Sequence, residues 1–99
     1  MKLKNIAHSR TGDKGNISNI SLIAYNYEDY LYIKEKVTPQ VVKNYFNEIC
    51  KGNVERYEVE SVWGLNFVLY NCLGGGVTKS LSLDKHGKTL GMILLDMDI

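Results

Sequence analysis

The sequence predicts an α+β fold, with a mainly antiparallel sheet of about five strands and two or three helices packed on one face. Three observations point there. Runs rich in β-branched and aromatic residues lie near both ends of the chain, a strongly capped helical stripe fills the middle, and Gly, Asn and Asp punctuate the joins. With 99 residues the chain makes one domain around one core.

Leu3 to His8 alternates, with Leu3, Asn5 and Ala7 on one side and Lys4, Ile6 and His8 on the other, so a first strand is expected there. Ile17 to Tyr25 reads as a second strand. Asn26 is the expected N-cap of a helix from Tyr27 to about Lys36, with Glu28 and Asp29 in the first turn. Thr38 and Pro39 open a second helix, in which Val41, Val42, Tyr45, Phe46, Ile49 and Cys50 recur at helical spacing. Gly52 is expected to close it in a left-handed conformation. Asn53 to Glu60 alternates as a third strand, with Val54 opposed to Tyr57 and Val59.

Val62 to Leu73 carries two patterns. Val62, Leu65, Leu69, Cys72 and Leu73 fit a helical stripe, whereas Leu65 to Tyr70 also fits a short buried strand. The glycine run behind it favours a helix ended by Gly74. Val77 to Asp84 reads as a half-buried strand, Lys85-His86-Gly87 as a tight reversal, and Lys88 to Ile99 as a final strand.

Composition excludes several classes. Twelve basic residues against eleven acidic ones leave a net charge of +1, and the cations are scattered, so no nucleic-acid partner is expected. No run approaches the ~18–20 apolar residues of a membrane span, and no apolar signal core follows Met1, so a cytoplasmic chain is expected. Cys50 and Cys72 lie outside any C-x-x-C spacing and are expected as buried free thiols.

His8 to Asn19 is the chemically dense stretch, with Ile17 as its one aliphatic side chain. It is read as a loop joining the first two strands. Gly12 and Gly15 could open backbone N–H groups to an anion, with Arg10 and Lys14 adding positive charge for a carboxylate or phosphate. His8 and Asp13 could form an acid–base pair, the carboxylate setting the imidazole tautomer. The competing reading is a hairpin connection whose polar groups bond their own backbone or water.

Gly74-Gly75-Gly76-Val77-Thr78-Lys79-Ser80 is not a P-loop, because Thr78 replaces the second glycine and a strand is expected to follow. It remains a junction where a ligand or partner backbone could approach. His8, Asp13, Asp84 and His86 lack short ligand spacing, so no metal and no cofactor is expected.

Taken together, His8-Ser9-Arg10-Thr11-Gly12-Asp13-Lys14-Gly15-Asn16 with Ser18-Asn19 resembles the opening signature of the AtuA-like ferredoxin-fold domain family. The likeness continues through Val54-Glu55-Arg56-Tyr57, Leu65-Asn66-Phe67-Val68-Leu69 and Leu73-Gly74-Gly75-Gly76-Val77-Thr78. It closes with Leu83-Asp84, His86-Gly87-Lys88-Thr89-Leu90-Gly91 and Leu94-Leu95-Asp96. In that family the domain forms the C-terminal part of acyclic terpene utilisation proteins or stands as a small protein beside a larger one.

The resemblance implies a ferredoxin-like α+β fold and a link to acyl-CoA or branched-acid catabolism, without an assigned catalytic mechanism. The chain is expected to be the small separate form, without the large N-terminal region of the fused one, and Asn71 and Cys72 replace small residues before the glycine run.

Three function classes follow. The first is an accessory or ligand-binding subunit of an AtuA-type large protein, with Arg10, Gly12, Lys14, Gly15, Asn16, Ser18, Asn19, Asn66, Gly74, Gly75, Gly76 and Thr78 as ligand or partner contacts. The second is a small enzyme component that holds a carboxylate or acyl thioester and uses His8 and Asp13. The third is a self-assembling structural domain, since small sheet proteins often dimerise to cover a face or an edge. Expected partners are thus the large subunit, a second copy and a small anionic ligand.

Overall fold

The computed structural model describes residues 1–14, 17–72 and 89–99, with the side chains of residues 13 and 14 outside the description. Strands β1 (Ala7–Lys14) and β2 (Ile17–Ala24) form the first hairpin. Helices α1 (Tyr27–Lys36) and α2 (Pro39–Tyr45) follow, then β3 (Val54–Val59), β4 (Gly64–Tyr70) and a short α3 (Leu90–Leu94). The sheet order is β1-β2-β4-β3 with every pair antiparallel. The α+β expectation holds, with four strands among the described residues rather than about five.

The polar stretch is itself a strand. Ala7 to Lys14 pairs residue for residue with Ile17 to Ala24, so most of the expected long loop is strand, and residues 15 and 16 lie outside the described residues. Leu3 to Asn5 is a 3-10 turn instead of a strand, because the Leu3 and Lys4 amides donate to the Met97 and Leu95 carbonyls at 2.9 Å each. A polar strand is tolerated here in part because the Thr11 hydroxyl on its helix side finds a partner. Thr11 Oγ1 accepts from the Gly91 amide at 2.8 Å, at the start of α3.

Both capped helices form as expected. Asn26 accepts from the Asp29 amide at 2.8 Å and Thr38 from the Val41 amide at 3.2 Å. Arg56 closes the far end of α1, donating from Nη1 to the carbonyls of Lys34 at 2.7 Å and Val37 at 3.0 Å. It satisfies two carbonyls that a helix end leaves orphaned.

Helix α2 stops at Tyr45, short of the expected end at Gly52. Val42, Phe46, Ile49 and Cys50 still bury themselves, so the apolar stripe holds while its last turn unwinds. Cys50 and Cys72 are disulfide-bonded across an isolated antiparallel bridge, which corrects the expectation of free thiols. The pairing depends on strand register, and no local spacing announces it. Gly52 is required by proximity: a Cβ there would lie 2.7 Å from the Tyr70 carbonyl oxygen.

The segment expected as a helix, Val62 to Leu73, contains β4. Leu65, Phe67 and Leu69 are buried on one side while Asn66, Val68 and Tyr70 are half-buried on the other, the period-2 alternation of a strand. The opposite error occurs at the C-terminus, where Leu90, Ile93, Leu94 and Met97 form the buried stripe of α3 and its following turn. Thr89 caps that helix, accepting from the Met92 amide at 3.3 Å. The strand expected over Val77 to Asp84 and the reversal at Lys85-His86-Gly87 lie outside the described residues.

One core joins these elements. Ile20 and Leu22 of β2 and Leu65, Phe67 and Leu69 of β4 meet Tyr30 and Ile33 of α1, Val42 of α2 and Leu90, Ile93 and Leu94 of α3. The Tyr30 hydroxyl is fully buried and has no hydrogen-bond partner among the described residues. Burial pushes it above its ordinary value of 10.0, with the Glu60 charge adding to the push.

Two stability predictions follow from this packing. A Cβ at Gly91 would lie 2.5 Å from Thr11 Oγ1 and 2.7 Å from Ser9 Oγ, so Gly91→Ala should cost about 1–3 kcal/mol in urea unfolding. Tyr30→Phe should stabilise by about 1 kcal/mol at neutral pH, since it removes an unpaired buried hydroxyl. The raised Tyr30 value favours the neutral, folded form below pH 10 and loses that contribution as pH rises through the folded value. The urea midpoint should therefore fall less between pH 8 and pH 11 in Tyr30→Phe than in the parent.

Candidate functional site

The sheet has one face under the helices and one that no described element covers. Strand alternation sorts the signature residues between them. On the open face, one row of paired residues crosses the sheet as Arg10, Ser21, Asn66 and Tyr57. A neighbouring row runs His8, Ile23, Gly64 and Val59, and another runs Gly12, Asn19, Val68 and Glu55. The Asn66 amide donates to Ser21 Oγ at 2.9 Å, bridging the two central strands.

A groove of about 210 Å³ lies on this face, lined by Ser21, Ile23, Val59, Val62, Gly64, Leu65 and Asn66. Gly64 lines it in a crowded spot, where an added Cβ would press to 3.3 Å on Ile23, Val62 and the Leu22 carbonyl. Trp63, beside it, takes a left-handed conformation with φ of 56° at the end of the 3-10 turn Glu60–Val62. Its carbonyl accepts from the Ala24 amide at 2.9 Å, which holds the β3–β4 connection against β2. At the opposite rim, the His8 ring stacks on Tyr25 with centroids 5.5 Å apart.

The β3 side carries a second polar cluster. The Tyr57 hydroxyl donates to Glu55 Oε1 at 2.8 Å and the Tyr70 hydroxyl donates to the same oxygen at 3.1 Å. Those hydrogen bonds push both tyrosines above the ordinary value of 10.0, because ionisation would set a phenolate against a carboxylate. The second carboxylate oxygen, Oε2, has no donor among the described residues and can accept another. Such an acid flanked by two aromatic rings suits an ammonium or guanidinium group.

The predicted site residues separate accordingly. His8, Arg10, Gly12, Asn19 and Asn66 share the open face. Ser18 is buried under the helices. Asp13 registers with Ser18 and Lys14 with Ile17, at the far end of the hairpin from His8. Four strand residues separate His8 from Asp13, about 16 Å along the backbone, and the two positions alternate to opposite faces of β1, so the backbone does not bring the pair together. Gly12 lies in the ladder opposite Asn19 with φ outside the left-handed range, so it does not open an anion nest. Gly15, Asn16, Gly74, Gly75, Gly76 and Thr78 lie outside the described residues.

Sequence reasoning missed Glu55, Tyr57, Tyr70 and the groove residues Ile23, Val59 and Val62. The alternation of β3 already places Glu55, Tyr57 and Val59 on one face, and that signal would have found them. Among the described residues, no group of His, Cys, Asp or Glu could hold a metal ion. None of their helices is long and apolar enough to cross a membrane.

These features define an α+β protein whose antiparallel sheet has one amphipathic face that no described element covers. The chain belongs to the AtuA ferredoxin-like domain family, whose model matches residues 1–99. No curated protein and no solved structure matches it.

Removing the carboxylate that restrains the two phenols should bring their ionisation forward. In Glu55→Gln, absorbance titration of Tyr57 and Tyr70 should shift to lower pH, towards the free-tyrosine value. An unchanged titration would show that Glu55 does not govern this cluster.

Proposed function

We propose that this chain is an accessory subunit that works beside an AtuA-type large protein in acyclic terpene, acyl-CoA or branched-acid catabolism in the cytoplasm. The observation that carries the reading is the gathering of signature residues on one exposed sheet face. Arg10, Asn19 and Asn66 reach it from three separate strands, and an apolar groove lies among them. Val59 and Val62, both large and exposed, wall that groove, and exposed Tyr57 stands in the neighbouring row beside Asn66. A mixed face of aromatic, aliphatic and amide groups with few charges is the composition of an assembly surface. The separation of His8 from Asp13 withdraws the geometric support for acid–base catalysis by that pair.

Copurification tests the reading. The chain, coexpressed with the AtuA-type large protein from the same source, should coelute with it as a complex. Val59→Glu, which places a charge in the groove wall, should reduce recovery about tenfold or more while leaving the fold intact by circular dichroism. Separate elution of the two parent proteins would defeat the proposal.

A further inference from the structure

We infer that the open sheet face is self-complementary and packs face to face against a second copy of this chain. The inference rests on the reading of that face as an assembly surface, but commits its occupant. Charge on the face is polarised. Arg10 stands exposed on edge strand β1, and among the described residues it has no ion pair or hydrogen bond. Glu55 stands exposed on the opposite edge strand, β3, held by the Tyr57 and Tyr70 hydroxyls through one oxygen and open at the other. The centre, between β2 and β4, is aliphatic and amide in character.

Two sheets stacked face to face pack about 10 Å apart with strands roughly aligned. A two-fold axis along the strands, midway between β2 and β4, sets β1 of one copy over β3 of the other. Arg10 then lies above the row of Tyr57, within one side chain's reach of Glu55, and symmetry repeats the contact. The same operation sets Ile23 of one copy above Gly64 of the other, facing the groove that Ile23, Val59 and Val62 wall. A two-fold axis across the strands would instead set Arg10 near Arg10. Charge therefore selects the first arrangement.

Four strands of this length present a footprint of about 400 Å² per copy, below the roughly 600–1,000 Å² per partner of stable specific interfaces and in the range of weak, transient ones. With so little area, the paired charges set the register, and association should weaken as salt rises.

Sedimentation equilibrium of the whole chain at low salt tests this. The parent should be dimeric at about 100 µM. Arg10→Glu and Glu55→Arg should each weaken the dimer roughly a hundredfold, and the Arg10→Glu/Glu55→Arg double variant should recover to within about tenfold of the parent. Circular dichroism verifies the fold of each variant. A monomeric parent, or a dimer that the reversals leave unchanged or the double variant fails to restore, overturns the inference. If the chain is monomeric alone but copurifies with the large protein, and Arg10→Glu abolishes that, the second copy fails and the accessory reading stands. If the dimer behaves as expected and the large protein never binds, the accessory reading fails and the inference stands.

Discussion

The antiparallel ladder between β2 and β4 unites the molecule. Seven register pairs, from Ile17 with Tyr70 to Ile23 with Gly64, join a hairpin near the N-terminus to a strand some fifty residues later. Neither hairpin alone could bury its apolar side. Once joined, Ile20 and Leu22 lie beside Phe67 and Leu65 and form the floor on which the helices rest. A slip of one residue in that register would turn Leu65, Phe67 and Leu69 outward. It would also separate Ser21 from Asn66.

The same ladder makes the open face. Because strand side chains alternate, sending the aliphatic residues of β2 and β4 inward necessarily sends Asn19, Ser21, Asn66 and Val68 outward. The flanking strands then add cationic character at one edge and acidic character at the other. The helix side is closed by contacts that leave little room for larger side chains. Gly91 meets Thr11 there, and Arg56 ties β3 to the end of α1. The signature residues thus have different duties: Thr11, Gly91 and Arg56 hold the fold, whereas Arg10 and Asn66 face outward.

Local rules read part of this from sequence. The α1 and α2 starts were legible because Asn26, Thr38 and Pro39 act through hydrogen bonds and dihedrals within a few residues. Strands β2 and β3 were legible because their composition and alternation suit a pleated surface. The errors lay where a pattern had two solutions. Leu65 to Tyr70 fits both periods, and its pairing with β2 and β3 resolves it as a strand. Lys88 to Ile99 looked like a final strand, yet its i, i+3, i+4 spacing buries Leu90, Ile93 and Leu94 as a helix turn against β1. The polar stretch looked like a loop because inward hydroxyls are unusual in a strand. Their partner, the Gly91 amide, lies 80 residues away from Thr11.

Composition, caps and alternation determined the fold class and the diagnostic segments of this chain, because each acts through neighbours close in sequence. Which residues share a face, which cysteines join and which side of the sheet stays open depended on register between distant strands. That register is a non-local property, set when two apolar faces find the pairing that buries both. His8 and Asp13 are five residues apart and end at opposite ends of a hairpin. Arg10 and Asn66 are 56 residues apart and end in one row, since pairing between strands outranks proximity along the chain.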